Sequence, residues 1–280
     1  MSELSGKVKK WICEQGYPVE MHVAKQFREA GFRATQSEYY VDPENGDSRE
    51  IDVVASCQRD MGEILVRITV CVECKSSTKH PWVAFTSQDT RLAKPASIVQ
   101  RPANKLGKEF LHRIAQNKYA HQTPLFKMGE RNGFTLTEAF TSGKDNAYAA
   151  CISVAKCARS LVMKAEEASQ SQGPVCNIVI PLVVIDGKLF ECHQDDLELE
   201  VEEIKQATLI WRNQVSNTGH SIISVCALDG LPGYIRSVSK LSKFVFDQDN
   251  VFRDMENESL SEYKNRWKHL LITKGSTGST

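Results

Sequence analysis

Two stretches of alternating polarity stand out along the chain. From Ile64 to Lys75, Ile64, Val66, Ile68, Val70, Val72 and Cys74 fall on one side of an extended backbone, while Arg67, Thr69, Cys71, Glu73 and Lys75 fall on the other. This is the two-residue period of a half-buried strand. Upstream, Ile51, Val53, Ala55 and Cys57 alternate with Glu50, Asp52, Val54 and Ser56, so residues 49–75 read as one hairpin. Met61-Gly62-Glu63-Ile64 puts glycine at the first central position of a two-residue loop, the type II′ preference. That turn pairs Met61 with Ile64, Ala55 with Val70, Val53 with Val72 and Ile51 with Cys74, which keeps the apolar residues on one face. The same register sets Asp52 opposite Glu73.

A helical period governs other segments. Around Glu20, Pro18 suits a first turn, Gly31 suits the stop, and Val19, Val23, Phe27 and Ala30 form an apolar stripe. Asp145 to Ala168 is the strongest helical pattern, with Tyr148, Cys151, Ile152, Ala155, Ala158, Val162 and Ala165 on one face. Asn177 to Ile185 is a continuous β-branched run expected of a strand buried on both faces, and Asp186-Gly187 reads as a hairpin turn into Leu189-Phe190-Glu191. Lys79-His80-Pro81-Trp82 reads as a strand break, and the punctuated stretch at 80–135, with a helix near Asn104 to Ala120, as an insertion. Strands are expected at Ala207 to Arg212 and Ile222 to Leu228, helices at Tyr234 to Phe244 and Phe252 to Leu271, and a flexible tail from Lys274 to Thr280. No linker or internal repeat divides the chain.

Composition narrows the class. At 280 residues with 41% hydrophobic and 25% charged side chains, the chain has ordinary globular composition and enough length for a substantial core. The longest apolar run, Ile178 to Ile185, is too short to cross a bilayer, and no signal-peptide pattern opens the sequence, so a cytoplasmic protein is expected. Nine cysteines without framework spacing fit reduced thiols. Cys71 and Cys74 are formally a Cys-x-x-Cys, but on a strand their sulfurs face opposite sides, which argues against zinc. No phosphate-binding loop, nucleophile elbow or His-Glu-x-x-His is present, which removes ATP motors, acyl hydrolases and zincin-type proteases from the field. The seven histidines, His80 included, lack ligand spacing.

The formal net charge is zero, but its distribution is uneven. Arg91, Lys94, Arg101, Lys105, Lys108, Arg113, Lys118, Lys127 and Arg131 face only Glu109 and Glu130 within 91–131, a stretch able to neutralise phosphates. The alternative is a solvated basic insertion. Asp195 to Glu203 is acidic, and its Leu197, Leu199 and Val201 alternate with charges as in an edge strand or loop.

The hairpin carries the chemistry. Directly opposed antiparallel residues have Cα atoms roughly 4.5 to 5.5 Å apart, and two carboxylates held that close repel unless a proton or cation lies between them. Mg²⁺, a hard cation content with one or two carboxylates plus waters and substrate phosphate, would resolve the conflict. Lys75 projects from the same face as Glu73, where an ammonium can orient or help deprotonate an attacking water and offset developing charge. Glu-x-Lys recurs at Glu203-Ile204-Lys205 and Glu262-Tyr263-Lys264, but only Glu73-Cys74-Lys75 ends an alternating strand in register with an acid. Glu20, near the start of its helix, either leans over the sheet towards Asp52 or complements the helix dipole.

Asp52, a 20-residue spacer and Glu73-Cys74-Lys75 resemble the PD-(D/E)XK nuclease superfamily in its restriction-endonuclease-like, Mrr-like branch, with Ile51 in place of the eponymous proline. The resemblance implies an α/β fold with an αβββαβ core and mixed sheet over residues 1–195, interrupted by the basic insertion. Residues 196–280 would be an α/β extension of the same domain. It implies a Mg²⁺-dependent endonuclease, with Mn²⁺ as a substitute, acting on DNA in restriction or antiviral defence. Asp52, Glu73, the Cys74 backbone carbonyl and Glu20 would hold the metal, and Lys75 would act on the nucleophilic water. Cutting both strands would call for a homodimer or two successive events. An RNA-cleaving enzyme of the same fold and an inert nucleic-acid-binding or assembly subunit are the alternatives.

Overall fold

The computed structural model describes residues 3–88, 94–141, 145–196, 198–211 and 221–258. Arg91, Leu197, Arg212, the distal part of the last expected helix and the expected tail lie outside these.

Two helices open the chain, α1 (Glu3–Glu14) and α2 (Tyr17–Glu29). Pro18 sits in the first turn of α2 as expected, where its missing N–H costs nothing. Gly31, at φ 87°, follows the helix end in the left-handed conformation that glycine tolerates. The buried stripe is Val19, Val23, Ala24 and Phe27, while Ala30 is exposed. Strands β1 (Arg33–Val41), β2 (Ser48–Met61) and β3 (Ile64–Ser87) form an antiparallel meander.

The β2–β3 register follows the turn. Met61 pairs with Ile64, Ala55 with Val70 and Val53 with Val72, and Gly62 has φ 64°, as the first central position of a type II′ turn requires. Beyond Val53 and Val72 the ladder stops. The expected Asp52–Glu73 and Ile51–Cys74 pairs are not made, and the Ile51 and Cys74 side chains lie in different cores.

β3 does not end at residues 79–82 as expected. It bulges there, shifting register between Ser77 and Trp82, and continues to Ser87. The bulge accommodates Pro81, whose carbonyl accepts from the Ala139 amide and which has no N–H to offer a ladder. What the sequence suggested as an insertion therefore contains the end of β3 and, after α3 (Lys94–Val99) and α4 (Lys105–Ile114), the strand β4 (Asn132–Glu138). β4 pairs with β3 from Trp82 to Ser87. Asn104 caps α4 by accepting from the Gly107 amide.

The long helix is α5 (Asn146–Ser171), capped by Asp145, which accepts from the Ala147 and Tyr148 amides. Its buried face runs through Ala147, Ala150, Cys151, Val154, Cys157 and Ala158, and Tyr148 is exposed. β5 then runs from Val175 to Asp195 in parallel with β3, so Asp186-Gly187 is not a hairpin turn. Gly187 lies in mid-strand because a Cβ there would stand 2.5 Å from the Ser77 carbonyl oxygen. β6 (Glu198–Ile204) is an exposed edge strand on β5, in line with its alternating charge. β7 (Gln206–Trp211) and β8 (Ser221–Ala227) extend the sheet, and α6 (Leu231–Phe246) packs back on it.

The result is an α/β structure built on one mixed eight-stranded sheet. Parallel β3–β5 and β5–β8 pairs, antiparallel β7–β8, and a single β4–β7 contact at Gly133 and Leu209 close a circuit of five strands. Helices cover both faces. α2, α4 and α6 cover Val53, Val70, Val72 and Ile178 on one side, and α5 covers Ile51, Cys71, Trp82 and Val183 on the other. Cys71 and Cys74 accordingly belong to opposite cores, and the nine cysteines are free. No helix among the described residues is long and apolar enough to cross a membrane.

Candidate active site at a fork in the sheet

Asp52 falls between paired residues of the β1–β2 ladder and just beyond the end of the β2–β3 ladder. On the β1 side Gln36 pairs with Val53 and Glu38 with Ile51, leaving Ser37 across from Asp52 with φ 52°. A non-glycine residue in that region costs about 1 kcal/mol or more. On the β3 side the ladder has just ended, and the Asp52 carboxylate takes the Cys74 amide instead, with Oδ2 accepting at 2.5 Å. The kink turns Ile51 into the α5 core and holds Asp52 in the fork between β2 and β3.

Glu73 and Lys75 share the α5 face of β3. Glu73 is buried, with Oε1 accepting from Lys75 Nζ at 2.6 Å and Oε2 from Ser153 Oγ at 2.7 Å. Glu20 reaches the same field from the first turn of α2, half-buried, close enough to feel Glu50, Glu73 and Lys75. The four candidate residues are thus gathered by three separate elements.

The charge balance is strained. Burial, then the Glu73 carboxylate and more weakly Glu20, push the Asp52 carboxyl up from its ordinary value to about 7, against the Cys74 amide and Lys75. Glu20 is raised by burial and by Glu50 and Glu73. Burial alone would lower the Lys75 ammonium, but Glu73 and Asp52 more than offset that and raise it, so Lys75 stays cationic at neutral pH. It is therefore suited to donating hydrogen bonds and offsetting negative charge rather than to removing a proton.

These donors fit a hard dication in kind. Asp52 and Glu73 offer oxygen donors; after burial, the Glu73 charge is the next cause of the raised Asp52, a repulsion that a cation would relieve, and Mg²⁺ asks for only one or two carboxylates. Among the described residues, no three His, Cys, Asp or Glu side chains stand grouped to hold a metal by themselves, so Glu20 is a neighbour in the field rather than a third ligand already in place.

Three residues join the site without any signature in the pattern. Ser153 of α5 tethers Glu73, and Tyr40 in turn donates to the Ser153 carbonyl at 3.4 Å. Glu50 adds negative charge beside Glu20. The sole sequence hint for Ser153 is a hydroxyl amid Cys151, Ile152, Val154 and Ala155. Beside it lies an open cleft of about 560 Å³ lined by Tyr40, Arg49, Glu50, Tyr148, Ser153 and Lys156 among others. Arg49 and Lys156 are anchored there by the buried Asp42, at 2.6 and 2.9 Å.

The basic segment is more committed than its composition implied. Arg101 is buried, and loss of solvent lowers its guanidinium to about 10. Lys108 donates to the Val99 and Arg101 carbonyls and is pushed down to about 8 by burial. Arg113 pairs with Glu109 and Glu258, and Arg131 with Glu191. Lys105, Lys118 and Lys127 remain exposed. Scans against protein-family models, curated proteins and solved structures found no match for this chain.

Proposed function

We propose that this chain is a Mg²⁺-dependent endonuclease with a restriction-endonuclease-like core, hydrolysing phosphodiester bonds of DNA in restriction or antiviral defence. The observation that carries the reading is Asp52, Glu73 and Lys75 converging at the fork, with a half-buried and a buried acid from neighbouring strands and a cation on the buried one. Asp52 and Glu73, with the Cys74 carbonyl and Glu20 beside them, are the groups that would hold Mg²⁺, which supplies Lewis acidity and positive charge at a phosphoryl oxygen when bound.

The chain's own groups do the rest. Lys75, kept protonated by its two acidic neighbours, stabilises charge on the phosphoryl oxygens as water attacks in line. Ser153 holds Glu73 in one rotamer, a hydrogen bond of the kind that orients a metal-binding carboxylate. The cleft along α5 offers a path for the strand, with the exposed Tyr148 ring able to stack on a base and Arg49 able to meet a phosphate.

The test is nicking of supercoiled plasmid in Mg²⁺ by the wild type, Asp52→Ala and Lys75→Ala. Wild-type cleavage should disappear in both variants while circular dichroism stays unchanged. Cleavage by either variant at the wild-type rate would place the chemistry elsewhere.

A further inference from the structure

A second concave site lies at the far end of the central strand pair. β3 and β5 run parallel, and their carboxyl ends open into a pocket of about 490 Å³ lined by Phe85, Gln88, Arg131, Phe134, His193 and Gln194, among others. The crevice outside the carboxyl ends of parallel strands is where α/β sheets characteristically bind ligands, and the volume suits a molecule of nucleoside size. Lys75 pairs with Ile185 and Phe85 with Cys192. The seven residue steps of β5 between those partners span about 23 Å at strand rise, so the pocket is distinct from the fork.

Its lining is specific in character. Phe134 is 57% exposed, a large apolar ring left facing solvent, with Phe85 tilted against it at a centroid distance of 6.5 Å. His193 is only 9% exposed, and its Nδ1 is buried without a hydrogen-bond partner among the described residues. A buried ring nitrogen left unpaired is costly, and a turn of the His193 ring that brings it to a ligand in the pocket recovers the cost. The side-chain amides of Gln88 and Gln194 each offer a donor and an acceptor. Arg131 is held in place by Glu191, which also accepts from Thr86 at 2.6 Å.

We infer that this pocket binds a heteroaromatic base, stacked on Phe134 and hydrogen-bonded at its edge by His193 and a glutamine amide. A ring face of phenylalanine accepts any flat π-system, and the amides and the imidazole favour one carrying both donors and acceptors over a plain hydrocarbon. Such a base can come from a free nucleoside or nucleotide, or from a nucleic-acid strand that has extruded it. The inference goes beyond the nuclease reading and does not depend on it.

The experiment uses the full chain without divalent ions. Free nucleosides and their monophosphates are titrated by calorimetry, and single strands carrying 2-aminopurine are followed by fluorescence. Binding of a free nucleoside identifies a free ligand, and binding of the strand alone identifies an extruded base. In either case Phe134→Ala should weaken binding about tenfold or more, the scale of one base–aromatic stack. His193→Gln should weaken it or change the preferred base. No binding of nucleoside, nucleotide or strand up to about 5 mM, near the weak limit of specific recognition, overturns the inference. So does binding untouched by both pocket substitutions. Because binding is read without divalent ions and scored at Phe134 and His193, a failure of the nuclease reading leaves this result legible.

Discussion

Replacing Asp52 with asparagine should stabilise the metal-free protein at neutral pH. The fork raises the Asp52 carboxyl from 3.8 to about 7. Between those values the folded chain holds a proton that the unfolded chain has released, so folding stability is full below about pH 4 and falls as the pH rises towards 7. About three pH units at about 1.4 kcal/mol each set an upper bound near 4 kcal/mol. Water reaching the half-buried carboxylate screens part of that, leaving about 2 to 3 kcal/mol. Asparagine keeps an oxygen to accept the Cys74 amide and carries no charge, so the variant escapes the penalty. The assay is urea denaturation in EDTA at pH 4.5 and 7.5. Wild type should lose stability across that interval, while Asp52→Asn should lose much less and exceed wild type at pH 7.5, by about 5 to 10 °C in a parallel thermal scan. Glu20, raised in the same direction, leaves a smaller residual slope. Mg²⁺ added at pH 7.5 should restore wild type and leave the variant unmoved. Equal pH slopes in the two proteins, or a variant less stable than wild type at pH 7.5, would refute the electrostatic account of the fork.

Asp42 carries the opposite sign. Burial opposes its charge, but the Glu44 amide, Lys156 and Arg49 outweigh it and hold the carboxyl below its ordinary range. Asp42→Ala should therefore cost about 1 to 3 kcal/mol in urea at pH 7 by removing the acceptor of Arg49 and of the Glu44 amide and one of the two acids on Lys156, which keeps Glu44, with the gap to wild type closing as the pH falls below the ordinary carboxylate value. Gly187→Ala should lower the unfolding free energy by about 1 to 3 kcal/mol, and the urea midpoint with it, because its Cβ would meet the Ser77 carbonyl oxygen, a main-chain atom that cannot swing aside. An unchanged midpoint would show that the bulge at 78–81 absorbs the intrusion. Ser153→Ala should reduce the plasmid-nicking kcat about 10- to 100-fold with KM nearly constant, and Ser153→Thr should recover most of it. A change confined to KM would assign Ser153 to substrate binding instead.

The hairpin register was legible because two independent signals agreed, the alternation of Val53, Ala55, Val70 and Val72 and the glycine of the turn. Both are local. Ile51 was misplaced because its direction depends on a ladder that ends at Asp52, and that ending depends on a side chain taking the place of a main-chain partner. Pro81 and Asp186-Gly187 were read as punctuation for a similar reason. In isolation each marks a turn, whereas side by side in parallel strands one forms a bulge and the other makes room for its neighbour's carbonyl. α1 carries Leu4, Val8, Trp11 and Ile12 at helical spacing, a stripe left unread, and apart from the half-buried Ile12 these side chains stay exposed, so no core packing marks the helix. The acids of the site could be nominated from the pattern, but Ser153 could not, since its role depends on which face of α5 meets β3.

The irregularities of the sheet concentrate where the charges do. Ser37 adopts a left-handed conformation across from Asp52, the β2–β3 ladder is cut there, and Glu20, Glu50, Asp52 and Glu73 share one field with Lys75. A sheet optimised for stability alone would continue the ladder and place a β-branched residue at position 52, as it does at Val53 and Val54. Each departure is unfavourable in the metal-free chain, and together they act on the same few atoms. A dication between Asp52 and Glu73 would relieve the electrostatic part of that cost, so on the proposed reading affinity for Mg²⁺ and instability without it would have a common origin. It follows that substitutions at the fork should move stability and metal affinity in opposite directions, whereas substitutions at Asp42 or Gly187 should lower stability and leave metal affinity unchanged.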